Sequence, residues 1–193
     1  MKALILAAGL GTRLKGLTEK RPKALMPIAN RPLIAVNIDY LMSFGVRHFA
    51  VNAHHHFGQV IEYLNNGRPF GVEMDVRVEQ DILGTGGAIK NFSDFFTEEP
   101  FIVFNTDVLT DIDLEKAYNY HVDSGNIATM ILHDCEPFNQ VMIRDSHIID
   151  ISRQKSPERL AFTGIHIISP EILSYIPESC YSDIIDCYNS LIR

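Results

Sequence analysis

Lys2-Ala3-Leu4-Ile5-Leu6-Ala7-Ala8-Gly9-Leu10-Gly11-Thr12-Arg13-Leu14 opens the chain, and its reading decides the fold. Residues 2–8 form a short apolar run without polar alternation, the pattern of a central strand covered on both faces. Two glycines follow directly, then a hydroxyl and a guanidinium. Glycine lets backbone N–H groups come close to an anion, and arginine forks onto phosphate oxygens. Two familiar phosphate loops do not fit. A dinucleotide fingerprint needs a third glycine where Leu14 stands, and a phosphate-loop fingerprint needs a lysine after Gly16, where Leu17 stands.

Outward from that stretch, residues 9–31 are too polar and too broken by Pro22 and Pro27 to form a core element. Apolar spacing predicts a helix over 33–44, stopped by Gly45. A strand over 48–52, a helix over 57–64 and an alternating strand over 72–78 follow. Residues 101–104 read as another buried strand, then a helix over 114–122 and a strand over 127–132. Residues 141–143 and 148–151 suggest a hairpin around Arg144-Asp145-Ser146, and 161–168 a late strand. Helices are expected near 170–174 and 182–191. Alternation through the first 130 residues implies an α/β domain with a mixed, mostly parallel central sheet. Ligands of such sheets gather beyond the carboxyl ends of the strands. Gly9 to Arg13, the turn after Asn52, Glu79 to Gly87 and Asn105 to Asp107 should therefore share one rim.

Composition narrows the partners. With 193 residues, 46% hydrophobic and 21% charged, the chain suits one ordinary globular domain. A net charge of −7 without a long basic run argues against nucleic acid as a partner and leaves phosphorylated small molecules open. No apolar run approaches a membrane span, so no membrane partner is expected. The run at 3–8 is too short for a secretory signal, and a cytoplasmic protein is expected. Cys135, Cys180 and Cys187 are odd in number and widely spaced, which predicts reduced, buried thiols.

Within the rim, Lys20-Arg21-Pro22-Lys23 gathers three cations after the glycine loop, and Lys23 reads as a point charge for a moving phosphate. Asp107 ends an apolar strand as Asn105-Thr106-Asp107, where a carboxylate can hold Mg²⁺ or simply close a turn. Asp111 reads as a cap. Gly84, Gly86 and Gly87 around Thr85 let a flat base or ribose rest on backbone, with Glu79 or Gln80 at a base edge and Thr85 free to cap the helix. His54, His55 and His56 are adjacent, so they cannot all face one ion, and zinc is not expected. No serine or cysteine nucleophile with an evident base emerges.

Leu10-Gly11-Thr12-Arg13-Leu14 followed by Arg21-Pro22-Lys23-Ala24-Leu25 resembles the signature of the sugar-1-phosphate nucleotidyltransferases. Leu83-Gly84-Thr85-Gly86-Gly87-Ala88, Asn105-Thr106-Asp107-Val108 and Phe162-Thr163-Gly164-Ile165 continue the match in the family's order, over essentially the whole chain. The nearest style is that of short bacterial enzymes acting on mannose-, heptose- or N-acetylmuramate-1-phosphate. The resemblance implies a Rossmann-like three-layer domain of the nucleotide-diphospho-sugar transferase type. It implies Mg²⁺-dependent transfer of a nucleotidyl group from an NTP to a sugar 1-phosphate, with pyrophosphate released. GTP and UTP are favoured, since a glutamate at 79 suits the N–H donors of guanine or uracil.

Carried over residue by residue, the resemblance places Leu6, Ala8, Gly9, Gly11 and Thr12 around the nucleotide, the last three cradling its triphosphate. Arg13 would meet the departing phosphates, Lys23 the reacting ones, and Glu79 the base edge, with Gly84 and Thr85 backing the nucleoside. Asp107 would bind Mg²⁺, while Asn105 and Gly164 would sit against the sugar phosphate. Three departures stand out. Thr106 replaces the family's usual glycine, and Lys155 is the substitute for a missing Glu-Lys-Pro. The family's later Trp and Asp-x-Gly-Thr-Pro segment, with a second metal ligand, has no counterpart, so residues 1–193 are expected to be a nucleotidyltransferase domain without it. The alternatives are a non-catalytic nucleotide or sugar-phosphate binding domain, and transfer to a non-sugar phosphate acceptor. A homo-oligomer is compatible with the sequence.

Overall fold

The computed structural model describes residues 1–193 except 153, 155, 156, 179 and 193. In chain order the strands and helices are β1 (Lys2–Leu6), β2 (Pro27–Ile28), β3 (Arg31–Pro32), α1 (Leu33–Ser43), β4 (His48–Ala53) and α2 (Phe57–Leu64). β5 (Glu73–Val78), α3 (Gly84–Asn91), β6 (Phe101–Asn105), α4 (Leu114–Ser124) and β7 (Ala128–His133) follow. The chain then runs through β8 (Asn139–Arg144), β9 (His147–Ile151), β10 (Arg159–Ile168) and α5 (Ile184–Leu191). The main sheet is ordered β5-β4-β1-β6-β10-β8-β9, with β7 paired to β10. β1, β4, β5 and β6 are mutually parallel, and β10 joins them antiparallel.

Side chains on a strand point alternately to opposite faces, and β1 feeds two cores in this way. Ala3 and Ile5 pack with Ile34, Ile38 and Leu41 of α1, Val60 and Leu64 of α2, and Leu114 of α4. Leu4 faces the other layer, with Ile89 of α3 and Ile184, Cys187 and Tyr188 of α5. Apolar surface on both faces is what the unalternated run requires, and three layers result. α4 starts at Asp113, whose carboxylate accepts from the Lys116 N–H at 3.1 Å, and stops at the left-handed Gly125. No helix among the described residues is long and apolar enough to cross a membrane.

Several local expectations are corrected. β1 ends at Leu6 because the Ala7 N–H donates to the Asn52 side chain, at 2.7 Å, instead of to a neighbouring strand. Residues 9–31, which hold no core element as expected, do form two short 3-10 turns, Thr12–Thr18 and Lys23–Leu25, and the β2–β3 ribbon. Thr85 does not cap α3: its hydroxyl donates to Asp183 at 3.2 Å and accepts from the Ile184 N–H at 3.0 Å, so it fastens the start of α5. Of the three free cysteines only Cys187 is buried; Cys135 is half-buried and Cys180 exposed.

Candidate active site

In the order β5-β4-β1-β6 the chain moves outward from β1 to β4 and β5, then returns to the far side of β1 for β6. The carboxyl ends of these four parallel strands open onto one pocket of about 250 Å³. It is lined by Leu6, Ala7, Ala8 and Gly9 after β1, Asn52 from β4, and Glu79, Ile82, Gly84 and Thr85 after β5. Asn105, Thr106 and Asp107 at the end of β6, with Lys23 and Ala24, complete it. The rim expected from the sequence is present in part, at Gly9, Asn52, Glu79, Ile82, Gly84, Thr85 and Asn105 to Asp107. Gly11, Thr12 and Arg13 stand beside it without lining it, and Thr12 and Arg13 are exposed.

At the β6 end, the Lys23 ammonium donates to Asp107 Oδ2, and the Arg13 guanidinium reaches the same oxygen at 3.8 Å. Lys23 is the better shielded cation, with 21% of its side chain exposed against 83% for Arg13. Its stem lies against Gly11, where an added Cβ would come within 3.3 Å of Lys23 Cβ and 2.8 Å of Thr18 Cγ2. The loop thus closes on itself and aims Lys23 at the pocket. Thr106, where the resemblance calls for glycine, turns its hydroxyl onto the Leu6 carbonyl at 2.6 Å, and its own carbonyl accepts from Asn37 at 2.7 Å. The added side chain ties β6 to β1.

At the β5 end, Glu79 is 3% exposed. Its Oε1 accepts from Asn52 Nδ2 at 2.7 Å and its Oε2 from the Leu83 N–H at 3.0 Å. Asn52, through its other amide atom, holds the Ala7 N–H. One buried amide on β4 thus joins the turns after β1 and β5. Asn52 and Asn37 carry geometry that motif reading missed. The available signal was an amide ending the apolar run Phe49-Ala50-Val51, since buried amides are hydrogen-bonded.

Two glycine expectations look different in place. Gly164 sits at the β10 bulge with φ +84°, and a Cβ there would lie 2.5 Å from Asn105 Nδ2. It backs Asn105 and does not itself line the pocket. Gly84, Gly86 and Gly87 face the segment 180–182: added Cβ atoms would come within 2.5 Å of Ser182 O, 2.7 Å of Ser182 Oγ and 2.8 Å of Cys180 O. Ser182 O also accepts from the Gly86 and Gly87 N–H groups, and the Ser182 N–H donates to Leu83 O. Much of the glycine motif therefore serves close backbone packing inside the protein. Lys155 lies outside the described residues.

The sequence profile of the nucleotidyl transferase family matches residues 2–140. This chain belongs to the nucleotidyl transferase family. It is 32% identical to a UTP–glucose-1-phosphate uridylyltransferase of Synechocystis, over 92% of the chain and 51% of that protein. It is 33% identical to a D-glycero-alpha-D-manno-heptose 1-phosphate guanylyltransferase of Aneurinibacillus thermoaerophilus, over 77% of the chain and 66% of the relative. Among solved structures, one from Bacillus anthracis, assigned as a glucose-1-phosphate thymidylyltransferase and complexed with sucrose, superposes with a TM-score of 0.88 at 26% identity, covering 98% and 82% of the two chains. The nucleotidyl transferase chain thus spans about half to two thirds of the length of these two curated relatives.

Proposed function

We propose that the chain transfers a nucleotidyl group from an NTP to the phosphate of a sugar 1-phosphate, with GTP or UTP as donor and Mg²⁺ at Asp107. The observation that carries this reading is the polarity of one pocket: two cations converge at Asp107, and a buried carboxylate, Glu79, stands at the opposite end. β5 and β6 are three strand spacings apart, roughly 14 Å, which separates a base from its phosphates.

At the base end, each Glu79 oxygen already accepts one internal donor and retains a second lone pair. Adjacent N–H groups of guanine, or the single N–H of uracil, satisfy those lone pairs. A ring acceptor turned toward the carboxylate is left unpaired, a discrimination of about 1–3 kcal/mol. At the phosphate end, the open backbone at Gly9 allows close approach, with nothing within 4 Å of an added Cβ. Lys23 and Arg13 offset the charge of the phosphates. An acceptor phosphate oxygen forms the new bond to the α-phosphorus as the bond to the β-phosphate oxygen breaks, and pyrophosphate leaves with that electron pair. Positioning and charge stabilisation suffice, and no protein nucleophile takes part.

The donor set at Asp107 suits magnesium. Both cations meet Oδ2, while Oδ1 has no ion pair among the described residues. Mg²⁺ is commonly held by one or two carboxylates, with substrate phosphates and waters completing its shell. No group of three or more His, Cys, Asp or Glu among the described residues forms a ready metal cage, so the phosphates supply the remaining ligands in this reading. The ion when bound contributes Lewis-acid neutralisation of phosphate charge. A panel of five nucleoside triphosphates against several sugar 1-phosphates, read as pyrophosphate release with Mg²⁺, tests the proposal. Nucleotide binding without pyrophosphate from any pair would refute it in favour of a binding domain.

A further inference from the structure

We propose that His54-His55-His56 is a clasp fixing the loops that bear Lys23, Arg13 and Glu79, so that all three histidines are positioning residues. The inference deepens the transfer reading above and rests on it. The three rings bond three different carbonyls. The His54 Nδ1–H donates to the Glu79 carbonyl at 2.8 Å, the His55 Nε2–H to Thr18 O at 3.2 Å, and the His56 Nε2–H to Glu19 O at 2.9 Å. A carbonyl only accepts, so each bond fixes which ring nitrogen carries the proton. Gln59, on the first turn of α2, adds a bond to Lys20 O at 3.0 Å. Three consecutive carbonyls, Thr18 to Lys20, are thereby held from one side.

The placement gives these bonds leverage. The clasped stretch lies between Arg13 and Lys23, and Thr18 touches Gly11. Its anchor is rigid, because Ala53 is fully buried and Asn52 nearly so, and the histidines leave β4 directly after them. His56 adopts a left-handed conformation, φ 52° and ψ 33°, which side chains other than glycine rarely take. That backbone turn accompanies rings of His55 and His56 packed at 3.9 Å between centroids, one bonded to Thr18 O and the other to Glu19 O. All three hydrogen bonds go to the two substrate loops.

The two arms predict different kinetics. His54 acts on the base loop, so His54→Leu should raise KM for the NTP with kcat little changed. His55 and His56 act on the cation loop, so His55→Leu/His56→Leu should lower kcat by about tenfold, the loss of one or two hydrogen bonds, with KM for the NTP nearly unchanged. Asparagine places its amide nitrogen near the position of Nδ1, and glutamine near Nε2. His54→Asn and His55→Gln/His56→Gln should therefore restore much of each loss, which a simple packing role does not predict.

Hydrogen exchange on the full chain decides the clasp independently of turnover. Peptides covering 12–26 should exchange faster in the double leucine variant and recover in the double glutamine variant, with β1 and β6 peptides unchanged. If the double leucine chain fails to fold, the single His55→Leu and His56→Leu variants carry the same comparison. Unchanged exchange over 12–26, or leucine and glutamine variants behaving alike, overturns the proposal. A wild-type chain without turnover overturns the transfer reading instead, and leaves the exchange result to judge the clasp.

Discussion

Asn52→Leu is the most informative single perturbation, because the residue serves two partners and touches solvent hardly at all. Its side chain accepts from the Ala7 N–H at 2.7 Å and donates to Glu79 Oε1 at 2.7 Å, with 3% of the residue exposed. Leucine has the same branched skeleton of four side-chain heavy atoms, with bulkier methyl ends and no polar atom. The abandoned Ala7 N–H costs about 1–3 kcal/mol, and the lost bond to a carboxylate costs about 1.5–3 kcal/mol. Burying the leucine methyls returns roughly 1–2 kcal/mol. The expected net destabilisation is about 2–4 kcal/mol, well inside the 5–15 kcal/mol typical of a domain. The variant should therefore fold, with a Tm lowered by about 5–15 °C, and KM for the NTP should rise because Glu79 keeps only its Leu83 tether.

Asn52→Asp separates the two contributions. Aspartate still accepts from Ala7 but sets a second carboxylate against Glu79, so one of the pair is pushed toward protonation in the folded state. A carboxyl whose folded pKa is raised gains stability as pH falls through that value, so Asn52→Asp should approach wild type on going from pH 7 to pH 5, whereas Asn52→Leu should not. Denaturant titrations at the two pH values, with NTP saturation curves, measure both. An Asn52→Leu chain within 1 kcal/mol of wild type and with unaltered KM would refute the view that this amide organises the pocket.

Asp107→Asn should remove most turnover, on the order of 10²-fold or more, and change stability by less than about 1 kcal/mol, because its ion pairs are partly exposed; full pyrophosphate release would end the metal-ligand assignment. Gly164→Ala puts a methyl 2.5 Å from Asn105 Nδ2 at φ +84°, so it should cost about 1–3 kcal/mol and raise KM for the acceptor more than for the NTP, as saturation curves in each substrate would reveal. Burial lowers the pKa of His166 to about 3, so the native state excludes a proton that the unfolded chain takes up below about pH 6.5. Stability should then fall by about 2 kcal/mol from pH 7 to pH 5 on this account, and urea midpoints for His166→Gln should show a flatter profile.

How far the fold could be read from sequence depended on whether a residue's partner was local. Helix α2 matches the predicted 57–64, and α1 differs from the predicted range by one residue, since the spacing of apolar residues carries the information. β1 is two residues shorter than the apolar run 2–8 predicts, because Ala7 and Ala8 are apolar and buried while a side chain 45 positions away ends the ladder there. Local spacing points Thr85 at its own helix for the same reason: its partners are 98 and 99 residues on. For the candidate site, spacing after each strand places the turns on one rim, while the partners of the Asn52 amide, 45 and 27 positions away, and the backbone of 180–182 against the glycines leave no mark in any local pattern.

The same contrast would, in the proposed reading, orient a nucleotide one way round in the pocket. Glu79 and Asp107 are both carboxylates at strand ends, yet their surroundings differ in kind. Asp107 has two cations at one oxygen, so the local field there welcomes anions. Among the described residues Glu79 receives only neutral N–H donors, and its carboxylate lines the pocket with no cation beside it. A phosphate placed about 5 Å from Glu79 meets a repulsion of roughly 3 kcal/mol at an effective dielectric near 20, and the same phosphate beside Lys23 meets an attraction of similar size. Orientation is therefore set by what each acid is paired with, more than by its being an acid. Glu79→Gln should weaken base selectivity and admit anions at the β5 end, so inorganic phosphate would become a better competitor against the NTP; no change in that competition would show that the polarity of the pocket does not orient its ligand.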